Sequence, residues 1–198
     1  MGVGDGERDN DAAAPPFFPP APVHRLDAPT GGLLAVAKTR AALRFWSEEF
    51  ELRRAKKKYV ALIVGKLEGS GSIEEPLDGK ECLTHYVVQA HTRSRQFGWL
   101  TEVDLYPETG RKHQLRRHLA GLGHPILGDL RYCPPGFFGN GEMHGLFLWA
   151  TELRLRHPLD PGGDPQVYIL PRPNKILKAT THHQNQYEYD IRKVQQQQ

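Results

Sequence analysis

The chain has 198 residues, 38% hydrophobic and 25% charged, a composition that suits one globular domain with a single apolar core. Lys and Arg total 26 against 23 acids, a net charge of +3 that permits a nucleic-acid partner without demanding one. Only Cys82 and Cys133 occur, outside any CxxC pattern, so neither a structural zinc site nor a disulfide framework is expected, and no apolar run approaches the roughly 20 residues of a membrane-spanning helix.

Residues 1–22 are acidic and Pro-rich without periodicity, and read as a disordered tail that resembles neither a secretory signal nor a transit peptide. A folded domain is expected over 23–178. Residues 33–38 suit a short buried strand, and 39–52 switch to helical spacing with Leu43, Phe45, Trp46, Phe50 and Leu52 facing a core. The basic run Arg53-Arg54-Ala55-Lys56-Lys57-Lys58 reads as a solvated turn rather than an RNA guide or an import signal. Strands follow at 59–64, 83–90 and 99–106, then a helix at 111–122 introduced by Thr109-Gly110 and stopped by Gly123, and a last strand at 146–155. Residues 179–198 read as a second polar, Gln-rich tail, dispensable for folding. Many strands with few, irregularly placed helices indicate one α+β domain with a mixed, mostly antiparallel sheet flanked by helices.

Spacing assigns roles within the 111–122 helix. At about 100° per residue, Leu115, Leu119 and Leu122 share one core-facing stripe, Arg116 lies at its edge, and Arg117 points to water. Arg116 therefore reaches a partly buried site, and Arg117 meets solvent or phosphate. The stretch Arg111-Lys112-His113-Gln114-Leu115-Arg116-Arg117-His118 contains no acid, which suits an anionic partner such as a phosphodiester backbone. His113 and His118 are five apart, the wrong interval for two metal ligands on one helical face, and His182-His183 lies in the expected tail; neither set is expected to bind metal.

Four segments, in order, carry a resemblance. His24-Arg25-Leu26-Asp27 leads to Thr30-Gly31-Gly32-Leu33-Leu34, and Lys57-Lys58-Tyr59-Val60-Ala61 leads to Val64-Gly65. Thr109-Gly110-Arg111-Lys112-His113-Gln114-Leu115-Arg116 is followed by Gly123-His124-Pro125-Ile126-Leu127-Gly128-Asp129, Tyr132, Leu148-Trp149-Ala150 and His157-Pro158. The series resembles the RluA family of RNA pseudouridine synthases over about residues 23–158. Each motif alone is modest; their order and spacing are specific.

The resemblance implies an isomerase that detaches uracil from ribose and rejoins it through carbon 5, with rRNA or tRNA as partner and no cofactor or metal. It implies Asp27 as the catalytic carboxylate, Arg116 as its arginine partner and Tyr59 as the tyrosine that stacks on the flipped base or takes part in proton transfer. Leu148 would close the other side of the base, Arg25 would fill the gap left in the RNA, and Arg111 and Gln114 would contact substrate. Gly31 stands where the family usually has Ser; in a turn, Gly is sterically compatible and a small effect is expected. The family's strand upstream of the Asp motif is replaced by the Pro-rich stretch, so an open sheet edge is expected. The rival expectation is an inactive RNA-binding module that keeps the fold; a phosphate-ester hydrolase lacks metal ligands and a nucleophile–base set. The protein is expected to be a soluble, intracellular monomer with no targeting signal in this chain.

Overall fold

A computed structural model describes residues 20–133 and 145–197. The elements are β1 (Ala21–Pro22), β2 (Gly31–Gly32), β3 (Val36–Ala37), α1 (Arg40–Glu51), β4 (Lys56–Val64), β5 (Ser70–Ile73), β6 (Thr84–Ser94), β7 (Gly98–Pro107), α2 (Gln114–Gly121), β8 (Leu148–Leu155), β9 (Gln166–Ile169) and α3 (Asn174–Gln195). The main sheet runs β2-β8-β4-β7-β6-β5, with β9 also on β8. β2 pairs parallel to β8, whereas β4–β7, β6–β7 and β5–β6 are antiparallel, so the α+β class and the mixed, mostly antiparallel sheet are as the sequence predicts.

The residues fall into two compact units. The smaller comprises the described residues up to Arg25, with Leu34–Ala55 and Arg154–Val167. Here β1 pairs with β3, so Ala21 and Pro22, placed by sequence in the N-terminal tail, are strand residues; the rest of that tail, to residue 19, lies outside the described residues. Thr39 caps α1, its Oγ1 accepting from the Ala42 N–H at 3.1 Å, a contact of the kind that begins helices. The α1 aromatics are half-buried: Trp46 donates to the Arg156 carbonyl at 2.9 Å and Phe50 stacks on His24. The fully buried residue of α1 is Glu49, ion-paired with Arg54.

The larger unit is Leu26–Leu33, Lys56–Leu153 and the residues from Tyr168 onward. Tyr59 to Val64 of β4 are all buried, as expected for a central strand covered on both faces. They pack with Leu100, Val103 and Leu105 of β7, Leu115 and Leu119 of α2, Leu148 and Ala150 of β8, and Ile176 of α3. Full burial of an aliphatic side chain such as Ile176 stabilises by about 1.5–3 kcal/mol.

Four local expectations change. The stretch 33–38 is not one strand: Leu33 donates to the Ala150 carbonyl, while Val36–Ala37 pairs with β1. The basic run is a solvated turn only in its first part, where Arg53 and Arg54 are exposed between α1 and β4. Arg54 is bonded to Glu48 and Glu49, and Lys56 and Lys58 are β4 residues paired with Glu108 at 2.7 Å and Asp104 at 2.8 Å. Leu122 is 42% exposed: it is the C-cap of α2, and although its N–H still bonds the His118 carbonyl at 3.1 Å, its side chain is not covered. The stretch from 179 is helical to Gln195 rather than a tail; His183 bonds Ser94 Oγ at 3.2 Å and Gln184 accepts from the Arg93 N–H.

Candidate active site

The acidic end of the site is set by a turn. The Asp27 carbonyl accepts from the Thr30 N–H at 2.8 Å, and the chain then enters β2, whose Gly31 and Gly32 register against Trp149 and Ala150 of β8. This pairing explains Gly31 differently from its sequence reading. A Cβ at 31 would clash with the Trp149 indole, so any other residue there has to displace the ring.

Arg116 extends from α2 with its guanidinium divided between two carboxylates. Its Nε and Nη2 donate to Asp129 Oδ2 and Oδ1 at 2.7 and 2.8 Å, and its Nη1 lies 3.6 Å from Asp27 Oδ2. The fork fixes the arginine, because two parallel charge-assisted bonds leave the guanidinium plane little freedom. Asp129 is itself held by the backbone N–H groups of Arg131 and Tyr132. Burial alone would push the Asp129 carboxyl up, but the Arg116 bonds and charge and those N–H groups hold it below the usual range.

His113 lies on the other side of Asp27, its Nε2 3.8 Å from Oδ1. It precedes α2 in the left-handed region, so the expected helical stretch 111–113 is a turn. Its Nδ1 meets the Tyr132 hydroxyl at 2.7 Å. Tyr59, on β4 opposite Leu105, is buried; burial first and the Asp27 charge second push its phenol up to about 12, so it is neutral at physiological pH.

The structure thus sets Asp27 beside Arg116, with the Tyr59 phenol near enough to feel the Asp27 charge, and Leu148 is buried on the strand that β2 joins. Arg117 points away and forms an exposed fork with Asp78 at 2.8 and 3.0 Å, in line with the helical spacing. Gln114 has its polar atoms committed internally: Oε1 accepts from Thr109 Oγ1 and the Arg111 N–H, and Nε2 donates to the Leu83 carbonyl and Thr84 Oγ1. It braces the start of α2. Arg111 is half-buried and donates to the Glu81 carbonyl. Arg25 is exposed and belongs to the smaller unit.

Asp129, His113 and Tyr132 are site residues without an assigned role in the sequence. A signal for Asp129 existed: a buried arginine with five donors needs more than one carboxylate. Among the described residues no group of three His, Cys, Asp or Glu could hold a metal, and no helix is long and apolar enough to cross a membrane.

A family model described as RNA pseudouridylate synthase matches residues 12–121. The dual-specificity RNA pseudouridine synthase RluA of Pasteurella multocida is 40% identical over 154 residues, covering 70% of this chain and 68% of that protein. The ribosomal large subunit pseudouridine synthase D of Vibrio cholerae is 31% identical over 182 residues, covering 80% of this chain and 54% of that longer protein. Among solved structures, human RNA pseudouridylate synthase domain containing 1 superposes with a TM-score of 0.63 at 29% identity, covering 83% of this chain and 81% of the other. With the motif order, the sheet and the carboxylate–arginine pair all in agreement, the chain belongs to the RNA pseudouridylate synthase family, in its RluA-type branch.

Proposed function

We propose that the chain converts uridine to pseudouridine in rRNA or tRNA, with Asp27 acting at the ribose, Arg116 holding Asp27, and Tyr59 stacking on the displaced base. The observation that carries the assignment is the Asp27 carboxylate, mostly buried, set 3.6 Å from an arginine that Asp129 clamps in place. The reaction breaks the bond from N1 to C1′ and forms one from C5 to C1′; the C5 proton leaves and N1 gains one, so nothing else is consumed. A carboxylate answers that need, either by attacking C1′ or by drawing a proton from the sugar to give a glycal.

The neutral phenol of Tyr59 suits a stacking and hydrogen-bonding partner better than an anionic base. Leu148 supplies the apolar wall opposite it. Arg25 and Arg111 contact the RNA outside the flipped nucleotide, Arg25 occupying the space it vacates. Gln114 contributes through the shape of the Arg111 turn. The catalytic domain, assigned by sequence to 23–178, takes in the remainder of α3 as well. The protein works as a monomer without a cofactor.

Unmodified rRNA and tRNA transcripts carrying uridine tritiated at C5 test the reading. Release of tritium from one class of transcript, with pseudouridine at a defined position, is the expected result; no release from either class would remove the activity.

A further inference from the structure

Among the described residues two nitrogen-bearing side chains lie within 4 Å of the Asp27 carboxylate, Arg116 and His113, and of these Arg116 belongs to the proposed catalytic set. The other, His113, differs from an ordinary buried histidine in three respects. Its backbone sits at φ 54 and ψ 29, a conformation that costs a non-glycine residue about 1–2 kcal/mol. Although it stands at the N-cap of α2, its side chain makes no capping hydrogen bond, so helix initiation does not explain the strain. And the ring is aimed: Tyr132 meets Nδ1 at 2.7 Å and lies edge-on to the imidazole, while the Tyr132 ring also lies under the Arg116 guanidinium at 5.1 Å.

Burial, with the charges of Arg116, Arg131 and Lys112, holds this imidazole below its usual range against the pull of Asp27, so it carries one proton at neutral pH. A lone pair facing a carboxylate would be repelled. The proton therefore sits on Nε2, toward Asp27, and Nδ1 accepts from the Tyr132 O–H. Each Asp27 oxygen then faces its own donor, Arg116 at Oδ2 and His113 at Oδ1.

We propose that His113 is a positioning residue for Asp27, its ring aimed by the Tyr132 hydroxyl and its strained backbone retained because that conformation points Nε2 at the carboxylate. The inference rests on reading Asp27 as the catalytic carboxylate. The left-handed backbone supplies the test. Glycine adopts this conformation without strain, so His113→Gly keeps the turn while deleting the ring.

His113→Gly is expected to fold and to bind C5-tritiated transcripts within about twofold of the parent, while its single-turnover tritium release falls about tenfold or more, and added imidazole restores part of that loss. Tyr132→Phe keeps the ring over Arg116 but loses the aiming bond, and a smaller loss of rate, about threefold, is expected. A His113→Gly rate equal to the parent's would overturn the proposal, as would a slow variant that imidazole fails to rescue and whose RNA affinity falls in step. Asp27→Asn, measured alongside, separates the two readings. If it is inactive while His113→Gly is fully active, only the role of His113 falls; if Asp27→Asn is active, the assignment of Asp27 falls and this inference with it.

Discussion

Restoring the serine that the family usually carries at position 31 should damage this protein. Gly31 and Trp149 are register partners in the parallel β2–β8 pair, and a Cβ at 31 would lie 2.6 Å from Trp149 Cδ1, closer than side chains tolerate. The indole has little room to retreat: Phe147 lies edge-on at 6.1 Å and the Lys175 ammonium sits over the ring at 5.3 Å. Overpacking of this kind costs about 1–3 kcal/mol. In a protein of this size a loss of about 2 kcal/mol lowers the melting temperature by about 4–8 °C. The assay is urea unfolding of the parent, Gly31→Ser, Trp149→Ala and the double variant. If the clash is the mechanism, the serine is harmful beside the indole and nearly harmless in the Trp149→Ala background, with a coupling of about 1–3 kcal/mol. A serine variant within about 0.5 kcal/mol of the parent, or one equally harmful in both backgrounds, would refute the reasoning.

Three further outcomes follow from the same geometry. Arg116→Lys keeps the charge but loses the fork to Asp129, so single-turnover rate should drop about 10–100-fold with RNA affinity little changed; Arg117→Met should instead weaken binding and lower its salt slope by about one unit or less, and the reverse pattern would place α2 in the wrong register. Deleting residues 179–198 removes the His183 and Gln184 bonds to β6 and the Tyr187 ring beside Arg93, so the melting temperature should fall by several degrees, about 2–4 kcal/mol in stability; an unchanged melt would show that the helix contributes nothing. Tyr59 is a phenol whose folded pKa is raised, so its contribution is complete below about pH 10 and is lost as pH climbs toward about 12, at about 1.4 kcal/mol per unit. Across pH 9, 10 and 11 the parent should therefore lose stability relative to Tyr59→Phe, and a difference that does not change with pH would contradict the assignment.

What was legible followed periodicity and motif order. Arg116 buried and Arg117 exposed follow from 3.6-residue spacing, whereas the pairing of Arg116 with Asp27 followed from the family resemblance; β4, β6, β7 and β8 overlap their apolar runs. Leu122 keeps the helical angle of the stripe but stands at the C-cap of α2, where spacing does not signal whether anything covers the side chain. The helix α3 was hidden because its inner face is built from Ile176, Ala179, His183 and Tyr187: the interval is helical, but a search for aliphatic residues passes over small, aromatic and imidazole side chains. His113 entered the sequence reading as part of the basic stretch and as an unsuitable metal ligand, and its approach to Asp27 depends on a left-handed backbone that no spacing rule signals. Gly31 looked like a permissive turn residue because its neighbour, Trp149, is 118 positions away in sequence and adjacent only once β2 pairs with β8.

The most direct test of the central claim compares the parent with Asp27→Asn in single-turnover release of tritium from C5-labelled RNA. The amide keeps the shape of the carboxylate and removes its charge and nucleophilicity, so the variant should fold, bind RNA as the parent does, and release no tritium above background. Release within about tenfold of the parent's rate, a barrier difference of only about 1.4 kcal/mol, would contradict the assignment of Asp27.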